Sequence, residues 1–311
     1  MIQDGGVRGW HPDDLAGIVD LLATACPRES LTAEKMATRL LLQPGGEPGD
    51  FLVAEHAGQP IGVLHATDDV AQGRPTAWIT LLAVQPRAQC SGVGTALLEE
   101  CLARLRPRGV TTVRFSDDPR CYFLPGLDKE EYPAADRFFS RQGFTTRATC
   151  VAQRATIPAS FPDGVRTLIE RRRTEGFTFT RADWANLPLA MECAERSARG
   201  WGAALADAVR CSRRPDRITL AIAPTGQVVG FSTFASIDEE IGRFGPIGVD
   251  PGQRGRALGA ILLALTMAHQ AEEGAKESFF LWGETHGPAF DMYARAGFEV
   301  DRTFHLLERQ L

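Results

Sequence analysis

The chain has 311 residues, 44% of them hydrophobic and 23% charged, with a formal net charge of -5. That length and balance predict a soluble globular protein with room for two domains of ordinary size. The acidic balance excludes a general nucleic-acid binder, and the one local basic run, Arg171-Arg172-Arg173, reads as the solvated face of a helix.

In chain order, Val7 to Trp10 is a short strand, and Asp13-Asp14 start a helix through Ile18, Leu21 and Leu22 that Pro27 ends. A second helix is predicted over Thr32 to Leu42. Phe51 to Glu55 and Ile61 to Ala66 form a hairpin across Ala57-Gly58-Gln59-Pro60. Trp78 to Val84 is a strand, and after a Gly-bearing loop comes a helix with Leu97, Leu98, Cys101, Leu102 and Leu105 as its apolar side. Val110 to Phe115 is a strand, followed by an insertion, Ser116 to Asp128, whose Tyr122 to Gly126 is too apolar to lie free. A helix from Pro133 to Gln142 and a strand from Thr145 to Arg154 close the first half. Ile157 to Gly164 reads as a linker and Val165 to Glu175 as a connecting helix. The order then repeats: a strand to Thr180, helices near 183–196 and 202–211, a hairpin across Pro224-Thr225-Gly226, a strand to Val249, a helix, the strand Ser278 to Trp282, a helix from Pro288 to Ala296, and the strand Val300 to Glu308.

The repeat is sharpest at one loop. Val84-Gln85-Pro86-Arg87-Ala88-Gln89-Cys90-Ser91-Gly92-Val93-Gly94 is echoed by Val249-Asp250-Pro251-Gly252-Gln253-Arg254-Gly255-Arg256-Ala257-Leu258-Gly259. Each follows an apolar strand and opens a helix. The first turn of a helix offers unpaired N–H groups and the positive end of the dipole, and small residues let an anion approach the backbone. Gly143-Phe144 likewise recurs as Gly297-Phe298.

The pattern Gln/Arg-x-x-Gly-x-Gly/Ala after a strand, with Gly-Phe some way downstream, resembles the GNAT acetyltransferase superfamily. Gln89-x-x-Gly92-x-Gly94 fits it fully, and Arg254-x-x-Ala257-x-Gly259 departs at Ala257. The resemblance implies an α/β (α+β) chain of two tandem domains, each a mixed, mostly antiparallel sheet flanked by helices. The expected boundaries are 1–155 and 176–311, with 156–175 as linker and connecting helix. It also implies acetyl-CoA as acyl donor, a small-molecule amine as acceptor, and no metal.

The residues it assigns to the donor are Leu82, Val84, Gln89, Cys90, Ser91, Gly92, Val93, Gly94 and Thr95 in the first copy. In the second they are Ile247, Gly248, Val249, Arg254, Gly255, Arg256, Ala257, Leu258, Gly259 and Ala260. The family's leaving-group acid is a Tyr four residues before Gly-Phe; Tyr293 holds that place, and Phe139 holds it in the first copy. A phenol can protonate a thiolate and a phenyl ring cannot. Glu284, His286 and Glu240, with Asp238 and Glu239, are the candidate bases, and His286 is equally suited to capping the helix at Pro288. The strand before the second loop carries Gly242, Gly245, Pro246 and Gly248, the marks of a kink, and Trp78 to Val84 does not.

The reading that follows is an N-acetyltransferase with its chemistry in the second copy. Its alternative is a non-catalytic acyl-CoA-binding protein, which Ala257 favours and Tyr293 opposes. Seven cysteines with no Cys-x-x-Cys argue against a disulfide framework or a zinc site, and Cys90 reads as a small loop residue. With no charged-then-apolar leader and no apolar run of membrane length, the expectation is a cytoplasmic protein with no membrane partner. The sequence leaves a homodimer open.

Overall fold

The structure, a computed structural model, describes residues 6–29, 31–41, 50–70, 73–118, 122–236 and 240–311. The chain divides into two compact units, Met1–Cys150 with Thr303–Leu311, and Val151–Arg302.

In the first unit, β1 (Val7–Gly9) leads to α1 (Leu15–Ala25). Asp14 fixes that entry by accepting from the His11 N–H at 2.7 Å and pairing with Arg8 at 2.7 Å. The predicted second helix is short: Thr32 caps α2 (Ala33–Met36), and a π turn follows over Ala37–Leu41. Then come β2 (Phe51–His56), β3 (Gln59–Asp69), β4 (Arg74–Val84), α3 (Val93–Leu105), β5 (Thr112–Phe115), α4 (Pro133–Arg141) and β6 (Thr145–Thr156). Strands β1 to β4 pair antiparallel, and β5 lies parallel to β4. A period of two sorts the side chains. Leu52, Ala54 and Leu64 face the α3 side with Leu97 and Leu98; Phe51, Val53 and Val63 face the α1 side with Ile18, Leu21 and Leu22.

The second unit repeats the plan. Its elements are α5 (Asp163–Thr174), β7 (Thr178–Arg181), α6 (Leu187–Ser197), α7 (Trp201–Ser212), β8 (Ile218–Ile222), β9 (Val228–Phe234), β10 (Phe244–Val249), α8 (Leu258–Glu272), β11 (Glu277–Gly283) and α9 (Pro288–Arg295), with the later part of β6 and the start of β12 (Glu299–Gln310), whose remainder belongs to the first unit. Strands β7 to β10 form a four-stranded antiparallel sheet with β10 at its edge. Helices α6 and α7 cover one face through Leu205, Val209 and Phe231, and α8 covers the other through Leu258 and Leu262. The basic run is only partly solvated: in α5, Arg171 and Arg173 are exposed, but Arg172 is buried and paired with Glu175.

The closing strands are exchanged relative to the expectation. Beside β5 stands the C-terminal part of β12, with Leu307 opposite Phe115 and Arg309 opposite Val113. Beside β11 stands the later part of β6, with Gln153 opposite Phe280. The expected boundaries at 155 and 176 omit this exchange, because strand partners are chosen by tertiary packing that the local pattern does not encode.

Leu307 is buried in the first unit's core with Val113 and Phe139. Leu307→Ala should therefore cost about 2–4 kcal/mol. In hydrogen exchange by mass spectrometry the loss of protection should fall in β4 and β5, although the mutation lies in the distant strand β12.

Candidate active site

The site begins with one extra residue. Opposite His65 and Ala66 of β3, β4 presents Leu81 and Ile79, so Thr80 has no partner and the strand bulges there. The faces exchange at that point: Ala77 and Ile79 lie on the α3 side, Leu81 and Ala83 on the α1 side. The second unit bulges at the same place, its register shifting between Phe244 and Ile247 across Gly245-Pro246. The kink expected from Gly and Pro is there; the first unit reaches the same geometry without either residue.

Past each bulge the ladder turns alternate backbone groups outward. Asp250 N–H bonds Val229 O at 2.8 Å and Gln85 N–H bonds Ile61 O at 2.9 Å. Counting back along antiparallel pairs, Ile247 and Val249, like Leu82 and Val84, occupy the non-bonded rungs. Their N–H and C=O groups point away from the sheet partner. The neighbouring strand is where the units differ. In the first, β4 and β5 pair over four rungs, Thr76 to Ile79, and Ser116 N–H adds a bond to Ile79 O at 2.8 Å. In the second, among the described residues, β10 and β11 share the single bridge Arg243–Phe279, so the wedge opens one rung sooner.

Each bulged strand runs into its loop. The two loops have one backbone shape with the glycines interchanged. Cys90 (φ 58°) corresponds to Gly255 (φ 79°), and Gly92 (φ 94°) to Ala257 (φ 58°), all left-handed. Ala257 thus carries the left-handed cost of about 1–2 kcal/mol that Gly92 avoids. The last glycine of each motif answers to packing. A methyl on Gly259 would lie 3.0 Å from Met292 Sδ, and one on Gly94 3.3 Å from the Phe138 ring. Glycine there lets α9 and α4 close onto the first turns of α8 and α3.

That approach sets Tyr293 beside the wedge. Its ring packs on Phe244, Phe280 and Phe298 at centroid distances of 6.2, 4.5 and 5.6 Å. In the first unit Phe139 packs on Phe115 and Phe144 at 4.4 and 5.1 Å. Phe280 and Phe298 answer to Phe115 and Phe144, whereas Phe244 stands where the first unit has Ile79, and Phe138, 5.4 Å from Phe139, stands where the second has Met292. Tyr293 adds a hydroxyl at the place of Phe139. Burial raises the Tyr293 pKa above its usual value, helped by the charge of Glu284, so the phenol stays protonated through the neutral range.

With this geometry, the comparisons with known proteins are decisive. The acetyltransferase (GNAT) domain profile matches residues 47–146, and the acetyltransferase (GNAT) family profile matches residues 183–298. This is a tandem GNAT chain. Mycothiol acetyltransferase of Actinosynnema mirum is 26% identical over 302 residues, covering 93% of this chain and 95% of that protein. Mycothiol acetyltransferase of Clavibacter sepedonicus is 27% identical, covering 92% and 89%. Among solved structures, a GCN5-related N-acetyltransferase of Sphaerobacter thermophilus superposes with a TM-score of 0.72 at 17% identity, covering 100% of this chain and 97% of that one. A tandem GNAT protein from the clavulanic acid biosynthesis pathway gives 0.69 at 18%, covering 99% and 98%.

GNAT proteins use acetyl-CoA, and the loops have the form to receive its diphosphate. Positions 92 and 255 face open space, since a Cβ there would meet no atom within 4 Å, and each loop ends on the N-terminus of a long helix. The assigned side chains fall into two groups. Arg254 is exposed at the second loop. Arg256 is turned aside, 3.9 Å from Glu175 and 5.9 Å over the Phe177 ring. Gln89 donates to Val84 O at 3.1 Å and Ser91 to Ala88 O at 2.7 Å, so both brace the first loop. Val93 and Leu258 are buried in the cores, while Thr95, Gly248 and Ala260 are partly exposed.

Glu284 and His286 lie exposed after β11, and Glu240 is exposed before β10. Asp238 and Glu239 lie outside the described residues. His286 pairs with Thr285 at 3.1 Å and does not cap α9, whose N-cap is Gly287. Among the described residues no group of three or more His, Cys, Asp and Glu is placed to hold a metal, and no helix is long and apolar enough to cross a membrane.

Periodicity gave no sign of a buried polar group in the first unit. His65 Nδ1 meets Thr80 Oγ1 at 2.6 Å at the bulge, and Thr67 donates to Asp118 at 2.7 Å. Burial pushes the His65 pKa down to about 4, against a smaller opposing pull from Asp118. The unfolded chain, with its histidine near 6.5, binds the proton more readily, so acid favours unfolding. Stability should be full above pH 6.5 and fall as the pH drops towards 4. Urea titrations should show a slope of about one proton in that window, and His65→Phe should flatten it.

Proposed function

We propose that this chain moves an acetyl group from acetyl-CoA to the primary amine of a small molecule, with the chemistry in the second unit. The first unit binds the coenzyme through its own loop and does not turn it over. The observation that carries this reading is the Tyr293 hydroxyl, a proton donor where the first unit has only the Phe139 ring, on a side chain packed against Phe244 and Phe280 beside the wider wedge.

The donor supplies a thioester carbonyl open to an amine. The chain holds it by the loop and first turn of α8, whose N–H groups and dipole take the diphosphate. The outward N–H of Ile247 is aimed where charge develops on the acyl oxygen, and such fixed donors act most strongly out of water. Tyr293 gives its proton to the leaving sulfur. Burial keeps the phenol protonated until the thiolate forms. Glu284, His286 and Glu240 are exposed, so each would take the amine's proton through water.

The relatives named mycothiol acetyltransferase make the amine precursor of mycothiol the first acceptor to assay. A carboxylate in the bulged strand would suit that amine, and buried Arg243 stands there instead. Glucosamine and polyamines therefore belong in the same panel. Coenzyme A release should appear with one of these amines. With it, Tyr293→Phe should lower kcat roughly 100- to 10,000-fold with acetyl-CoA affinity nearly unchanged. Binding of acetyl-CoA with no release on any amine would return the chain to the acyl-CoA-binding reading.

The first loop has its own test. Gly92 and Gly94 replaced by bulky residues should remove one of two bound equivalents of coenzyme in titration calorimetry. An unchanged stoichiometry would exclude the first unit as a binding site.

A further inference from the structure

Ser236 stands just past the end of β9, half-buried, and its hydroxyl donates to the Gly245 carbonyl at 2.6 Å. Gly245 is the bulge residue, at φ 101°. In a regular ladder the partner strand would hold that carbonyl. Here the register jumps from Phe244–Phe234 to Ile247–Ser232, and the rung is missing. Pro246 follows and has no N–H to contribute. The first outward N–H after the bulge is that of Ile247, and its direction depends on how the Gly245 and Pro246 peptides are turned. Among the described residues, the Ser236 hydroxyl is the side-chain donor that reaches the Gly245 carbonyl.

In the first unit the bulge residue Thr80 has a hydroxyl of its own, and it meets the buried His65 ring and the His65 carbonyl, not a carbonyl of the bulge. Gly245 has no side chain, and its carbonyl is held by a hydroxyl from beyond the end of β9. Ser236 also lines a cleft with Leu205, Val209 and Phe234 on the α7 side of the sheet, opposite the α8 side that carries the diphosphate loop.

We propose that Ser236 is a positioning residue: it fixes the Gly245 carbonyl and thereby aims the Ile247 N–H at the acyl oxygen of a bound thioester. The inference rests on the reading of the second unit as the acetyl-transfer site. It predicts that Ser236 matters to the acyl group and not to the rest of the coenzyme.

The test is titration calorimetry of the full chain carrying Gly92→Glu, which sets a carboxylate in the open mouth of the first loop and silences it. Acetyl-CoA and CoA are titrated into this parent, into Ser236→Ala and into Ser236→Thr. The parent should bind acetyl-CoA more tightly than CoA. Ser236→Ala should weaken acetyl-CoA about three- to ten-fold, the range of one hydrogen bond, and leave CoA unchanged. Ser236→Thr, which keeps the hydroxyl, should restore the difference. Equal weakening of both ligands, or no weakening of either, would overturn the positioning role. A parent that binds neither ligand would overturn the reading of the second unit itself, and the inference with it.

Discussion

One extra residue in the strand before each loop is the constraint on which the rest depends. A regular antiparallel strand gives its backbone groups alternately to its neighbours, and an inserted residue breaks that rhythm. In both units the break resets that alternation, so that Leu82 and Val84 in one and Ile247 and Val249 in the other direct their N–H and C=O groups away from the antiparallel partner. In the first unit it also exchanges the faces, so that Ile79 before the bulge and Leu81 after it pack on opposite helices. The loop that follows then arrives at the helix N-terminus with its small residues exposed. A strand able to pair with a ligand's amide groups and a helix end able to take its phosphates come from the same local event.

On that common frame the units diverge by small amounts. The wedge beside the bulge is held by four rungs and a further backbone bond in the first unit and by one bridge in the second. The aromatic group behind it keeps two of its rings in both units, and Tyr293 carries a hydroxyl where Phe139 has none. The polar residues near the first bulge are spent on each other: His65 on Thr80, Thr67 on Asp118. In the second unit the Gly245 carbonyl is held by Ser236, just past the end of β9. The same fold therefore carries one half built to be self-satisfied and one half left open.

Much of this was legible in the sequence. The repeated Val-x-Pro loops and Gly-Phe pairs placed both halves, and Gly245-Pro246 announced the second bulge because neither residue sits easily in a regular strand. Tyr293 against Phe139 could be read from register alone. The bulge at Thr80 could not, since an ordinary residue bulges only because the opposing strand's register demands it. His65 was equally hidden: a histidine in an alternating strand looks the same whether it meets solvent or a buried threonine. The exchange of β6 and β12 left no mark, because strand partners are chosen by tertiary packing. Arg172 shows the same limit from the other side. In a run of three arginines, helix geometry turned one inward to Glu175 and left its neighbours in water.

We propose the second unit as the seat of the chemistry because a phenol and an open wedge coincide there. The most direct measurement moves the hydroxyl alone. In the exchange variant Tyr293→Phe with Phe139→Tyr, the phenol passes to the first unit, where β4 and β5 stay paired through Ile79 and Phe115. Coenzyme A release, with the amine that supports wild-type turnover, should stay at the level of Tyr293→Phe by itself. Recovery of turnover in the exchange variant would contradict the account, because it would show the first unit to be a competent site lacking only its acid.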